Sequence, residues 1–339
     1  MKYFLCFLFI VFSLQITAQK SDFKNLNFEK SDNTAKLLKG ENLYNLPLLT
    51  YNLTSKLDTD VEKFRAIYTW ICQNIKGDYY MHRKVSKNRD KFKNDSISFL
   101  DWNKEYSKKV FKKLLKNKKT MCTGYAYLLK TMSEIANIEC RIIDGYHRNT
   151  FANIAELSLP NHSWNAVKLN NKWYLADATL SSGYTDLSLD TFIFDYNDGY
   201  FLTDPKIFIQ HNYPLEKKWT LLNPELSKVT RFLNTPLMYG AAIKQKIYHD
   251  SSSKMNTEIS KNETVNFHYN FLEPLALDKI ELRVDEQSSA IKTRVTQISK
   301  ERNTFNISCN FNRKGLYDIH LYYKNEIISS QSIEVKNKI

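Results

Sequence analysis

Three side chains in this sequence could together carry nucleophilic chemistry on a carbonyl: Cys122, His162 and Asp177. Cys122 opens a run in which Tyr125, Leu128, Leu129, Met132, Ile135 and Ala136 recur at steps of three and four. That spacing predicts an amphipathic helix beginning at the thiol, with Asn137 as a left-handed stop. An ordinary thiol, with a pKa of about 8.5, is mostly protonated at neutral pH. The N–H groups and partial positive charge of a helix start favour the thiolate, and so does a nearby imidazolium. Lys118 and Lys119 add a smaller effect. Asp177 is the residue type that would hold the His162 ring in one tautomer and against the sulfur. The expected chemistry is attack of Cys122 on an amide carbonyl, with His162 protonating the departing amine. The thioester then passes to water or to another amine. The Cys122 backbone N–H is one expected oxyanion donor; a second is not assigned.

Residues 162–169 and 172–179 read as two strands joined by Asn170-Asn171, a pair suited to a type I′ turn. A two-residue loop pairs Leu169 with Lys172, Lys168 with Trp173, Ala166 with Leu175 and Trp164 with Asp177. His162, Trp164 and Asp177 then share a face, with His162 and Asp177 as diagonal neighbours about 7–8 Å apart at the backbone. Upstream, Thr59-Asp-Val-Glu62 has capping-box spacing, and Val61, Phe64, Ile67, Tyr68, Ile71 and Ile75 follow as one buried helix face. Residues 20–58 read as an extended arm. Residues 138–146 read as a strand broken at Gly145. Trp70 and Trp102 read as packing residues.

The chain has 339 residues. Lys2, an apolar run over residues 4–12 and the exit Ile16-Thr-Ala-Gln19 form the pattern of an export signal, expected to be removed near Ala18 or Gln19. That run is shorter than the roughly 20 apolar residues of a membrane span, and no later segment reads as one. The remaining length suits two domains, at residues 20–225 and 236–339. Formal net charge is +13, and residues 82–119 hold 14 Lys or Arg against four acidic residues. No aromatic interleaving or nucleic-acid motif accompanies that charge, so it reads as a solvated basic insert rather than a specific nucleic-acid site. Contact of residues 83–119 with an anionic surface stays open. Cys72, Cys140 and Cys309 read as small buried hydrophobes, with neither disulfide-framework nor metal-site spacing. Asp195-Tyr-Asn-Asp-Gly199 reads as a turn-rich connection rather than a calcium loop: its Gly is one position early and the closing Glu is missing. No metal or cofactor is expected. Short alternating runs at 265–271, 279–284, 294–298, 304–311, 317–323 and 331–335 predict an antiparallel β-sandwich that supports the first domain.

The ordered series of motifs resembles the transglutaminase-like superfamily, in particular its kyphoscoliosis-peptidase-like branch. It runs through Phe64-Arg-Ala-Ile-Tyr-Thr-Trp70 with Asp78, Cys122-Thr-Gly-Tyr-Ala126 and Gly145-Tyr146. It continues through His162-Ser-Trp-Asn-Ala-Val167, Trp173-Tyr-Leu-Ala-Asp177-Ala-Thr179, Tyr200-Phe-Leu-Thr-Asp-Pro205 and Trp219-Thr-Leu-Leu222. The resemblance implies an α+β, papain-like catalytic domain with Cys122, His162 and Asp177 as its triad, followed by an immunoglobulin-like β-sandwich. The family usually has Gly shortly before the Cys and Trp after Asp-x-Thr, where this chain has Thr120-Met121 and Leu180. The expected activity is cysteine-dependent acyl transfer on protein or peptide amides, as a peptidase or a transglutaminase, outside the cytoplasm. The alternative is a catalytically silent relative that uses the cleft and sandwich to hold a partner at the cell surface.

Overall fold

The computed structural model describes residues 20–150, 159–250, 252–286, 289–291 and 297–337. The export pattern at 1–19 lies outside the described residues. Residues 20–58 correct the expectation of an extended arm, since they hold helices α1 (Glu29–Leu37) and α2 (Leu46–Thr54). Asn45 caps α2 by accepting from the Leu48 N–H at 3.0 Å, Pro47 suits its first turn, and Leu49 and Leu53 are buried. The polar composition of α1 hides its anchor: Asp32 takes two bonds from the Arg65 guanidinium, at 2.7 and 2.9 Å. Arg65 lies on α3 (Asp60–Asn74) and also pairs with Asp198, which Lys20 contacts as well. Both arms of the Thr59–Glu62 capping box close, and Phe64, Ile67, Tyr68 and Ile71 are fully buried.

Strand β1 (Lys76–Gly77) pairs in parallel with β2 (Lys119–Thr120). Between them the basic segment forms α4 (Tyr79–Lys91) and α5 (Ser96–Asn117). This too corrects an expectation, because the segment is more than a solvated face. Met81, Val85, Phe99, Val110 and Met121 form a small core of their own, with Trp102 packed against it. Asp78 clamps the base: its Oδ1 caps α4, its Oδ2 accepts from Lys113 Nζ at 2.6 Å, and its N–H donates to Thr120 O. Helix α6 (Cys122–Ile135) follows, ending beside Asn137 at φ 60°.

The sheet over α6 has the order β5-β4-β3-β8, all antiparallel, from β3 (Cys140–His147), β4 (His162–Leu169), β5 (Lys172–Ala176) and β8 (Asn212–Pro214). Between β5 and β8 lie α7 (Ala178–Ser182) and a hairpin of β6 (Gly183–Asp186) with β7 (Thr191–Phe194). Strand β3 is not broken at Gly145. It runs on and uses Gly145 for close approach: a Cβ there would stand 2.2 Å from Tyr213 O. Asn170 and Asn171 both have positive φ, at 49° and 62°, as a type I′ turn requires.

Beyond residue 236 two sheets share one apolar core that includes Phe267, Tyr269, Phe305, Ile319 and Ile333. One pairing departs from the expected antiparallel pattern, since Asn256–Ser260 runs parallel to Glu326–Lys336. Of the strand expected at 294–298, residues 294–296 lie outside the described residues, and a strand is present at Gln297–Glu301. This part meets the first through Asn197 Nδ2 to Gly240 O at 2.8 Å and two bonds between Gln210 and the His249 backbone.

Packing at the start of α6 yields a prediction. A Cβ on Gly124 would stand 1.9 Å from Thr120 Oγ1, with Thr120 fully buried. Gly124→Ala is expected to cost about 1–3 kcal/mol by overpacking. Thr120→Gly added to it should recover part of the loss, read as the midpoint of denaturant unfolding.

Candidate active site

The structure brings the three candidate residues together from three elements. Cys122 is the first residue of α6, His162 the first of β4, and Asp177 follows β5. Two buried links fix α6, one to the sheet and one to the end of α3. Asn165 of β4 donates to Ala126 O in α6 at 2.9 Å, and Tyr125 donates to Ile75 O at 2.6 Å. The hairpin has the expected register from Leu169↔Lys172 to Ala166↔Leu175 and one pair further, Asn165↔Ala176. It stops before Trp164 could face Asp177. Asp177 instead turns out of the strand to cap α7, its Oδ1 accepting from Leu180 N–H at 3.1 Å. Its Oδ2 then meets His162 Nε2 at 2.6 Å, leaving Nδ1 as the ring nitrogen available to the sulfur. The His162 ring also stacks on Trp164, with centroids 6.0 Å apart.

Asp177 is fully buried and His162 nearly so, and a buried charge must be partnered. Burial works to raise the Asp177 carboxyl, but the charge and hydrogen bond of His162 and the Leu180 amide hold it below the usual range. Burial would likewise depress His162; the charge and hydrogen bond of Asp177 outweigh it and hold the imidazole well above its ordinary value. At Cys122 burial opposes ionisation, yet hydrogen bonding and charge from His162, with the Ser163 amide, pull the thiol below its ordinary value. The result is a site arranged for a thiolate–imidazolium pair. As the first residue of α6, Cys122 also has a backbone N–H without an intrahelical acceptor, and N-cap Met121 supplies no side-chain bond.

Two supporting residues escaped the sequence reading. Asn212 of β8 donates Nδ2–H to Asp177 Oδ2 at 3.1 Å, while its Oδ1 faces His147 Nδ1 at 2.7 Å. Burial, and then the charge of His162, push His147 down to about 4, so it stays neutral and donates from Nδ1. His147 and Asn212 are register partners in β3 and β8, a pairing visible only after the sheet is assembled. His147 lies one residue past the strand expected over 138–146, so its place beside the site follows only from β3 running on through Gly145.

The thiol opens into a cleft of about 560 Å³. One wall is α4, through His82, Arg83, Ser86 and Arg89; the other is the β6–β7 hairpin, through Tyr184, Leu187 and Phe192. Leu180, which stands where the family usually has Trp, lines it as well. Among the described residues, none from 20–58 does.

Residues 48–178 match the family model described as the transglutaminase-like superfamily. The kyphoscoliosis peptidase of Mus musculus is 33% identical over 70% of this chain, and that of Homo sapiens 34% identical over the same share. This chain carries a transglutaminase-like domain of the kyphoscoliosis-peptidase-like branch. Hillarin of Drosophila melanogaster is more distant, 26% identical over 63% of the chain and 25% of its own length. The chain spans about a third of the two kyphoscoliosis peptidases, 32% of each. The matched span, residues 48–178, contains Cys122, His162 and Asp177.

Removing the Asn212 side chain isolates its role. Asn212→Leu strips one donor from a buried carboxylate and leaves His147 without its acceptor, so a loss of about 1–3 kcal/mol is expected near neutral pH. Asp177 has a depressed folded pKa, so its stabilisation is present above the unfolded value of about 3.9 and fades as pH falls through the folded one. Unfolding curves of the variant and the parent chain should therefore draw together in acid.

Proposed function

We propose that this chain is an exported cysteine-dependent acyl-transfer enzyme acting on protein or peptide amides. The observation that carries the reading is the convergence of Cys122 and His162 at one open cleft, with Asp177 buried behind the imidazole and the thiol drawn below its ordinary pKa by that imidazole. Cys122 Sγ adds to the amide carbonyl carbon, and the Cys122 N–H faces the developing oxyanion. The C–N bond breaks as the His162 imidazolium gives its proton to the leaving amine. Water then adds to the thioester while His162 takes its proton, and the C–S bond breaks to return the thiolate. An amine in place of water gives transamidation by the same steps. The likeness to proteins named kyphoscoliosis peptidase favours hydrolysis.

Export rests on the charged start, apolar middle and small-residue exit of residues 1–19. The part beyond residue 236 is read as an immunoglobulin-like sandwich that positions and supports the cleft-bearing domain. Its shared two-sheet core and its bonds to the segment around Asn197 support that role.

The test combines reactivity with turnover. Alkylation of Cys122 by iodoacetamide at mildly acidic pH should be rapid and should fall by about tenfold or more in His162→Ala. The parent chain, but not Cys122→Ser, should release new N-termini from unfolded protein substrates or incorporate an amine into them. Sluggish alkylation that His162→Ala leaves unchanged would assign the cleft to a binding protein instead.

A further inference from the structure

Helix α4 presents two faces with different tasks. Met81 and Val85 enter the small core, while His82, Ser86 and Arg89, at steps of four and three, line the cleft with Cys122. Arg89 is half-buried and held in place: its Nε donates to Pro160 O at 2.9 Å, and its guanidinium lies 6.0 Å from the Phe99 ring centroid. Among the described residues no carboxylate lies within ion-pair distance of it, its neighbour Asp90 acting only through its charge, and its terminal nitrogens make no hydrogen bond. Asp78, the one acidic residue among the described cleft lining, is already taken up by Lys113 and the start of α4. A partly buried guanidinium with idle N–H groups is a ready-made partner for a carboxylate, which it can bind in bidentate fashion. Burial lowers Arg89 below its usual range, while the charges of Cys122 and Asp90 act the other way.

We infer that Arg89 is a specificity-determining residue that selects acyl donors bearing a carboxylate close to the reacting carbonyl. Such donors are peptides with Asp or Glu beside the scissile bond, or with a free carboxylate there. The proposal deepens the acyl-transfer reading and rests on it. The β6–β7 wall, with Tyr184, Leu187 and Phe192, would accept apolar side chains of the same donor, so the preferred segment is acidic at one position and apolar nearby.

A pair of small alkylating agents tests this without a known substrate. Iodoacetate carries a carboxylate next to its reacting carbon; iodoacetamide is its neutral counterpart. Arg89→Gln should slow Cys122 alkylation by iodoacetate about fivefold or more, the effect of one charge in a partly screened cleft, with iodoacetamide changed less than about twofold. Arg89→Lys, which keeps the charge without the planar fork, should retain part of the preference, and Lys87→Gln, at an exposed charge of the same helix outside the cleft lining, should leave the ratio of rates unaltered. An unchanged ratio in Arg89→Gln overturns the proposal. So does an equal fall with both reagents, which would make Arg89 only a brace for Pro160, and so does an equal effect of Lys87→Gln. Slow reaction of the parent chain with both reagents would instead count against Cys122 as a nucleophile, so the two readings fail separately.

Discussion

The hydrogen bond between His162 Nε2 and Asp177 Oδ2, at 2.6 Å and out of solvent, is the constraint around which the first half of the molecule is arranged. A carboxylate taken from water costs several kcal/mol unless it is matched by a cation and by donors to its remaining lone pairs. Asp177 has both. The imidazole and Asn212 serve one oxygen, and the Leu180 amide at the start of α7 serves the other. The same carboxylate therefore ends a strand, begins a helix and keeps an imidazole basic. Cys122 benefits at one remove, because a ring held protonated by Asp177 is what favours the thiolate.

Around that pair the fold supplies spacing more than chemistry. Asn165 and Tyr125 lock α6 to the sheet and to the end of α3, so the sulfur and the ring cannot drift independently. The α4–α5 excursion leaves and rejoins the domain through two short strands paired in parallel, with Asp78 as its clamp. Its cationic helix becomes a wall of the cleft. Arg83 and Arg89 of that helix line it.

Local signals were read well from the sequence where one interaction between near neighbours decides the outcome. Thr59 with Glu62 announces α3, and Asn170-Asn171 sets the register that brings His162 toward Asp177. The reading failed where the deciding partner is distant in sequence. Helix α1 owes its place to Asp32 meeting Arg65, and Asn212 meets Asp177 only through β8 pairing with β3. Gly145 looked like a stop because strand propensity does not reveal that Tyr213 needs the room. The basic segment looked solvated because composition averages over a helix, whereas α4 separates Met81 and Val85 from His82 and Arg89. Cys122, His162 and Asp177 were legible because each carries a chemically distinctive group on an element with a clear local pattern.

The central claim is that Cys122 ionises more readily than an ordinary thiol because Asp177 keeps His162 charged beside it. The most direct measurement is a pH titration of thiolate ultraviolet absorbance, taken as the difference between the parent chain and Cys122→Ser. The account predicts a transition below the ordinary thiol value of about 8.5, displaced upward in Asp177→Asn. A transition at or above that value, or one indifferent to Asp177→Asn, would contradict it.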